Sequence, residues 1–378
     1  MLPAAALAVP FLPDSDAEVL ERLPWTANDA AEGLARVRRA QLARDPRNLA
    51  LALDAARADI AHARAAGDPR YLGYAQAALA SWDAPQPPAA VQVLRATIRQ
   101  NLHDFDGALA DLQDALARDP SNAQAWLTQA MIQQTRGDYA EARRSCTRVL
   151  ATARRSASLR LAAVTCMSSV ASFVGDARGS YATLREALRA SDGAPEDHLW
   201  PVTVLADIAV RLGDVAHARA DYEAALALAP RDGVVRIAYA DFLLDQHEPA
   251  AVLALLDGDT ANDGALLRLA LAEDALGTPA RAAHVAELRE RFAAAKLRGD
   301  GRHLREEARF TLALLHDSVA ALTLAERDWA VQREPEDARV LLEAALAAGD
   351  GATVARVRGW LAARHVEDVR LPTARGDA

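Results

Sequence analysis

Apolar residues along the chain fall at helical spacing, as at Ala108, Leu112, Ala115 and Leu116, which share one face of a 3.6-residue helix. Val, Ile and Thr never gather into alternating runs bounded by turn residues, so no half-buried strand is expected. Single glycines, several followed by aspartate, and Asp-Pro or Ala-Pro pairs punctuate the apolar stretches: Gly137-Asp138, Gly213-Asp214, Asp119-Pro120 and Ala229-Pro230. The pattern predicts short helices joined by tight turns, an all-α chain without a sheet.

The pattern also repeats. Ala96, His103-Asp104-Phe105, Ala108, Leu112 and Ala115-Leu116 recur as Ala130, Gly137-Asp138-Tyr139, Ala142, Cys146 and Val149-Leu150, a displacement of 34 residues. Val202, Ala206, Gly213-Asp214-Val215, Ala218, Tyr222 and Ala225-Leu226 form another copy, and Ala240 lies 34 residues beyond Ala206. A copy with Gly175-Asp176, Ser180, Leu184 and Ala187 lies between them, displaced by a four-residue insertion around 153–156 that is expected to lengthen a turn. Asp45-Pro46 and Gly67-Asp68-Pro69 frame an earlier pair, while Gly277, Glu334-Pro335 and Gly349-Asp350 mark later ones.

With Asp119-Pro120 and Trp126 ahead of them, Ala130, Gly137-Asp138-Tyr139 and Ala142 resemble the consensus of the tetratricopeptide repeat (TPR), most strongly over 89–230. That resemblance implies antiparallel helix pairs stacked into a right-handed α-α superhelix, a solenoid of about eight units. Two helices nest closely only where facing side chains are small, which is why Ala96 with Ala108 and Ala130 with Ala142 recur. The turn glycine tolerates positive φ, and the aspartate after it accepts the first N–H groups of the next helix.

The expected organisation is a tail or partial signal sequence at 1–13, N-terminal helices with a divergent pair at 14–88, a TPR core at 89–258, divergent C-terminal helical repeats at 259–368, and a tail at 369–378. The proline-rich stretch 81–88 is expected to be a packed turn anchored by Trp82, and 297–301 a joint of modest flexibility.

Composition fits helices and narrows the functional classes. Hydrophobic residues make up 51% of the 378 but aromatics only 5%, so Ala and Leu carry the core. A net charge of −9, scattered along the chain, argues against nucleic acid as a partner. Lys296 is the lone lysine among 43 basic residues, a skew that reads as a GC-rich bacterial genome. Cys146 and Cys166 read first as small buried hydrophobes, and as a disulfide if their helices pack face to face in an oxidising compartment. Ala6-Leu7-Ala8 has the small-x-small form of a signal-peptidase site although a positive n-region is missing, so the expected location is periplasmic or secreted, with the cytoplasm as the alternative. No apolar run is long enough for membrane insertion of the body.

No catalytic constellation emerges. The nine histidines form neither HxH nor HExxH and read as exposed helix positions, and no phosphate loop or nucleophile elbow occurs. Catalytic residues, metal ligands and cofactors are therefore expected to be none. Arg-Gly-Asp at 298–300 and 375–377 reads as chance in a chain rich in those residues.

By the TPR resemblance, a partner protein or peptide lies in the concave groove lined by the first helix of each pair, expected at 89–102, 123–136, 159–174, 198–212 and 232–246. Candidate groove residues are Val93, Thr97, Asn101, Leu127, Met131, Gln134, Thr203, Asp207 and Arg211, a neutral set without a charged carboxylate clamp. The function expected is a non-catalytic scaffold or adaptor. The alternatives are an enzyme or ligand-binding protein with its site in the divergent region after 256, and a self-assembling solenoid that forms a homo-oligomer.

Overall fold

The structure, a computed structural model, describes residues 27–83, 86–153, 156–297 and 303–372. The expected signal segment at 1–13, both Arg-Gly-Asp tripeptides and most of the joint at 297–301 lie outside the described residues.

Among the described residues every regular element is helical. After Ala27–Arg44 (α1) the chain forms antiparallel pairs: Leu49–Ala66 with Arg70–Ala78 (α2, α3), Ala89–Asn101 with Phe105–Arg118 (α4, α5), and Ala123–Thr135 with Tyr139–Thr152 (α6, α7). Next come Ala157–Ser172 with Ala177–Arg189 (α8, α9), Leu199–Leu212 with Val215–Leu228 (α10, α11), and Gly233–Asp245 with Pro249–Leu255 (α12, α13). Asp263–Leu276 with Arg281–Leu297 (α14, α15), Leu304–Ala313 with Ser318–Trp329 (α16, α17), and Pro335–Ala348 with Gly351–Ala363 (α18, α19) complete them. Where the sequence match decays after 256, the helix-pair architecture continues.

Small residues set the spacing, as the physics of nesting requires. Ala96, Ala108, Ala130, Ala142, Ala206, Ala218 and Ala240 are all at most 1% exposed, so each sits where two backbones approach. Larger side chains fill between them: Ile98, Leu112, Ile132, Leu184, Leu205 and Ile208 are fully buried. Trp126 is fixed from the preceding turn, its indole N–H donating to the Pro120 carbonyl at 2.9 Å. Trp82 packs on the N-terminal apolar cluster, and Arg118 donates to the Pro87 carbonyl at 2.6 Å, so the described part of the proline-rich stretch is held against the repeats.

Every pair turns through one residue with left-handed backbone. Glycine fills that position at 67, 137, 175, 213, 277 and 349, and histidine at 103, 247 and 316, with φ between 56° and 88°. The two types follow from conformational preference, since glycine has no Cβ to clash and histidine is among the side chains enriched there. The next residue's N–H closes the helix end, as when Asp138 donates to the Gln133 carbonyl at 2.8 Å and Asp214 to that of Ala209 at 2.9 Å. Asp104, Asp214, Asp317 and Asp350 then cap the second helix through their carboxylates, whereas Asp138 and Asp176 make no such bond.

Cys146 on α7 and Cys166 on α8 are both buried and form a disulfide that ties one pair to the next. The described edges of the expected insertion are the end of α7 at Thr152 and the start of α8 at Ala157. A second lengthened connection, with a 3-10 turn at Pro195–His198, precedes α10.

Successive turns of the superhelix touch. Close to the α2–α3 turn, the Ala65 carbonyl lies beside Gly233 at the start of α12, and Asn262 at the start of α14 reaches Gly67. The α6–α7 turn meets the loop before α18: Arg333 N–H donates to the Thr135 carbonyl at 2.7 Å, Thr135 Oγ1 donates to Glu334 at 3.1 Å, and the Tyr139 hydroxyl donates to the Arg333 carbonyl at 3.0 Å. Residues 364–372 continue this contact across the α8–α9 and α10–α11 turns, so residues 369–372, expected as part of a tail, are docked.

Candidate protein-interaction surface

The first helix of each pair lines the inside of the superhelix, within two residues of the ranges expected from sequence. Ion pairs show this directly: Arg309 on α16 reaches Asp241 on α12, and Arg339 on α18 reaches Asp245 on α12 at 2.7 Å, spans that cross intervening pairs.

The nine candidate groove residues divide by burial. Asn101 and Asp207 are exposed, and Thr97, Leu127 and Met131 are half-buried. Val93, Gln134, Thr203 and Arg211 are at most 9% exposed and face packed neighbours, so they are corrected from groove contacts to internal supports. Gln134 accepts from Ser169 Oγ at 3.1 Å, and Thr203 Oγ1 donates to the Leu199 carbonyl at 2.8 Å. Arg211 donates to the Ser172 carbonyl at 2.9 Å and stacks over the Phe173 ring, centroid at 4.5 Å. Leu127 leans on the cluster around Ala130 and Val170, leaving the exposed Asn101 and Asp207 and the half-buried Thr97 and Met131 as the accessible contacts on α4, α6 and α10.

The neutral groove expected from sequence does not extend past α10, which is a second correction. From α12 to α18 the inner face is a continuous ionic network. Arg268 forks between Asp241, at 2.7 Å, and Glu306; Arg305 pairs with Asp337 at 3.0 Å; and Arg370 lies 2.5 Å from Glu336. Burial alone would raise the Asp241 pKa, but the Arg268 and Arg309 guanidinium groups overcome it and hold the carboxyl well below the usual range. Glu306 is likewise lowered by Arg268 and Arg305 against its desolvation. Crowding has the opposite result at Asp207, which is solvent-accessible but walled in: desolvation lifts it to about 6 although the Tyr222 hydroxyl donates to it at 3.0 Å. The sequence carried a signal for this network. Asp241 and Asp245 occupy the repeat positions of Asp207 and Arg211, 34 residues on, so the register that selected the latter also points at the former.

Four of the nine histidines, His103, His247, His316 and His365, have left-handed backbone in turns or at a helix end, where exposed helix positions were expected. Among the described residues no group of three or more His, Cys, Asp or Glu is arranged to hold a metal ion, and no helix is long and apolar enough to cross a membrane.

Comparison with known proteins gives two family matches, each described as tetratricopeptide repeat, at residues 102–164 and 203–232. No curated protein matches significantly. Among solved structures, the APC/C hetero-tetramer Cut9-Hcn1 aligns with 83% of this chain at 15% identity and a TM-score of 0.41, and this chain spans 52% of that one. The P58(IPK) TPR domain aligns with 79% of this chain at 14% identity and a TM-score of 0.22, covering 98% of its own length. The left-handed turn of the matched repeats recurs in the other helix pairs of the described residues. The chain carries tetratricopeptide repeats at residues 102–164 and 203–232.

Proposed function

We propose that the chain is a non-catalytic interaction scaffold that holds a partner protein on the accessible inner face of α4, α6 and α10. The observation that carries this reading is the contrast along that face. Past α10 the charged side chains satisfy one another, whereas Asn101 and Asp207 are exposed and Met131 half-buried, offering a polar, an acidic and an apolar group. Such a surface suits a helical or extended peptide segment. Affinity capture with the wild type and with an Asn101→Arg, Met131→Glu variant tests it. A protein retained by the first and lost by the second, at matched thermal stability, is expected; identical recoveries would sink the reading.

The Cys146–Cys166 disulfide supports a periplasmic or secreted location, because such bonds persist where thiols are not kept reduced. One observation favours a ligand-binding role in the region after 256. A cavity of about 730 Å³ opens between the α2–α3 turn and α14–α15, lined by His62, Arg70, Tyr71, Asn262 and Arg291 among others. Its volume falls in the range of ligand pockets. Its charged groups are already engaged, Arg70 with Asp68 and Arg291 with Asp263, which makes the scaffold reading the better supported.

A further inference from the structure

Beyond α19 the backbone leaves helical geometry at His365, with φ of 53°, and runs over turns belonging to much earlier pairs. The approach depends on side chains that those turns lack. A Cβ at Gly137 would stand 3.0 Å from Trp360 Cζ2, one at Gly175 would stand 3.0 Å from His365 Cβ, and one at Gly213 would stand 3.3 Å from Val369 Cγ2. Three glycines, one per consecutive pair, thus form a row that α19 and the segment after it follow. Val369 N–H donates to the Arg211 carbonyl at 3.0 Å, a main-chain contact indifferent to side-chain identity.

The row ends in a charged socket. Arg370 turns inward, its side chain only 12% exposed, and its guanidinium lies 2.5 Å from Glu336, 2.6 Å from Asp368 and 3.9 Å from Asp245. Asp368 belongs to the segment itself, whereas Glu336 and Asp245 belong to α18 and α12. Withdrawal of Arg370 leaves Glu336, whose side chain is 45% exposed, without its ion-pair partner and open to another guanidinium.

The segment buries little apolar surface for one in this position. His365 and Glu367 are exposed, Val369 is 66% exposed, and only Val366 and Leu371 settle on the last apolar cluster. Besides the Arg370 ion pairs and the Arg358 donation to the Pro372 carbonyl at 3.1 Å, only a few buried apolar contacts and one main-chain bond to the earlier pairs hold it, so its attachment is largely polar.

We propose that the turns at Gly175 and Gly213, together with the Glu336–Asp245 socket, are a docking track for an extended segment of a partner protein that carries an aliphatic residue directly before an arginine, and that residues 365–372 fill the track in cis until such a segment displaces them. This rests on the scaffold reading but uses a different surface from Asn101 and Met131, so the two fail separately.

The test uses a fluorescent peptide of sequence RHVEDVRLP, that of residues 364–372, with the full chain and with a chain ending at Arg364. The shortened chain is expected to bind the peptide saturably, and the full chain at least about tenfold more weakly, since its own tethered segment competes at high effective concentration. A control peptide with Arg370→Glu is expected to bind neither. Equal binding to both chains, or none to the shortened one, overturns the proposal. If the shortened chain loses its helical circular dichroism, the full chain carrying Arg370→Glu takes its place, where a gain in peptide binding supports the track and no gain overturns it. Full chains that associate with one another and are released by the peptide would assign the track to a second copy, overturning the partner assignment. Capture that depends on Asn101 and Met131 while the peptide binds neither chain leaves the scaffold reading standing and removes the track.

Discussion

At the scale of single residues, the turn glycines are chemically alike but differ in what stands over them. Gly349 has φ of 73° and no atom within 4 Å of where a Cβ would be, while Gly137 has φ of 79° with Trp360 Cζ2 at 3.0 Å and Arg333 Cβ at 3.2 Å. Gly349→Ala therefore meets only the left-handed backbone penalty, about 1–2 kcal/mol less the few tenths regained from a stiffer unfolded chain. Gly137→Ala adds overpacking against the Trp360 and Arg333 side chains, so a total of about 2–4 kcal/mol is expected. Urea unfolding of the two variants checks this, and equal losses would show that the contact over Gly137 contributes nothing.

At the scale of helices, α7 and α8 are joined covalently as well as by packing. A disulfide that closes a loop of about 20 residues is expected to add about 3 kcal/mol, chiefly by restricting the unfolded chain. Both sulfurs are buried, so reduction should be slow in the native protein and fast in mild denaturant. Unfolding of the oxidised and reduced forms should then give midpoints that differ by that energy divided by a common m-value; coincident midpoints would remove the disulfide from the stability account. The helices themselves were legible from sequence, with the five expected first helices starting and ending within two residues of their observed limits, because apolar spacing and Gly-Asp turns are local signals. The disulfide was legible only as one of two alternatives, since the spacing of Cys146 and Cys166 does not say which faces of their helices meet. The left-handed histidines were missed because histidine in a turn has no pattern of its own until the repeat is aligned on Gly137 and Gly213. Val93, Gln134, Thr203 and Arg211 were misplaced for a related reason: helical spacing separates packed from unpacked faces but not groove from inter-pair seam.

At the scale of the whole molecule, charge acts through curvature, and sequence hides curvature. Arg339 and Asp245 stand 94 residues apart, and only the closed superhelix brings them to 2.7 Å. The same closure gathers carboxyls that repel. Asp328 at the end of α17 and Glu334 and Asp337 at the start of α18 converge where the loop before α18 meets the α6–α7 turn. Desolvation first, and then the Asp337 charge, lifts Asp328 to about 8 and Glu334 to about 7, against the pull of Arg305. The Gln332 amide donates to Asp328 at 3.1 Å and the Thr135 hydroxyl to Glu334 at 3.1 Å, neither enough to offset burial. The ordinary values are 3.8 and 4.5, so between about pH 4 and pH 8 the folded chain holds protons that the unfolded chain has released. Stability from these two groups is thus fully present below about pH 4 and is lost as pH rises through their folded values, with a slope of at most about 1.4 kcal/mol per pH unit for each. Asp241, Glu306 and Glu336 have lowered values, and their contribution is instead lost in acid. The raised groups thus lose their contribution toward neutral pH and the lowered ones lose theirs in acid. Urea midpoints are expected to fall from pH 5 to pH 8, and Asp328→Asn, which keeps the shape and removes the titration, should flatten that fall. A midpoint that rises across this range in the wild type, or an unchanged slope in the variant, would mean that the superhelix does not close on these carboxyls.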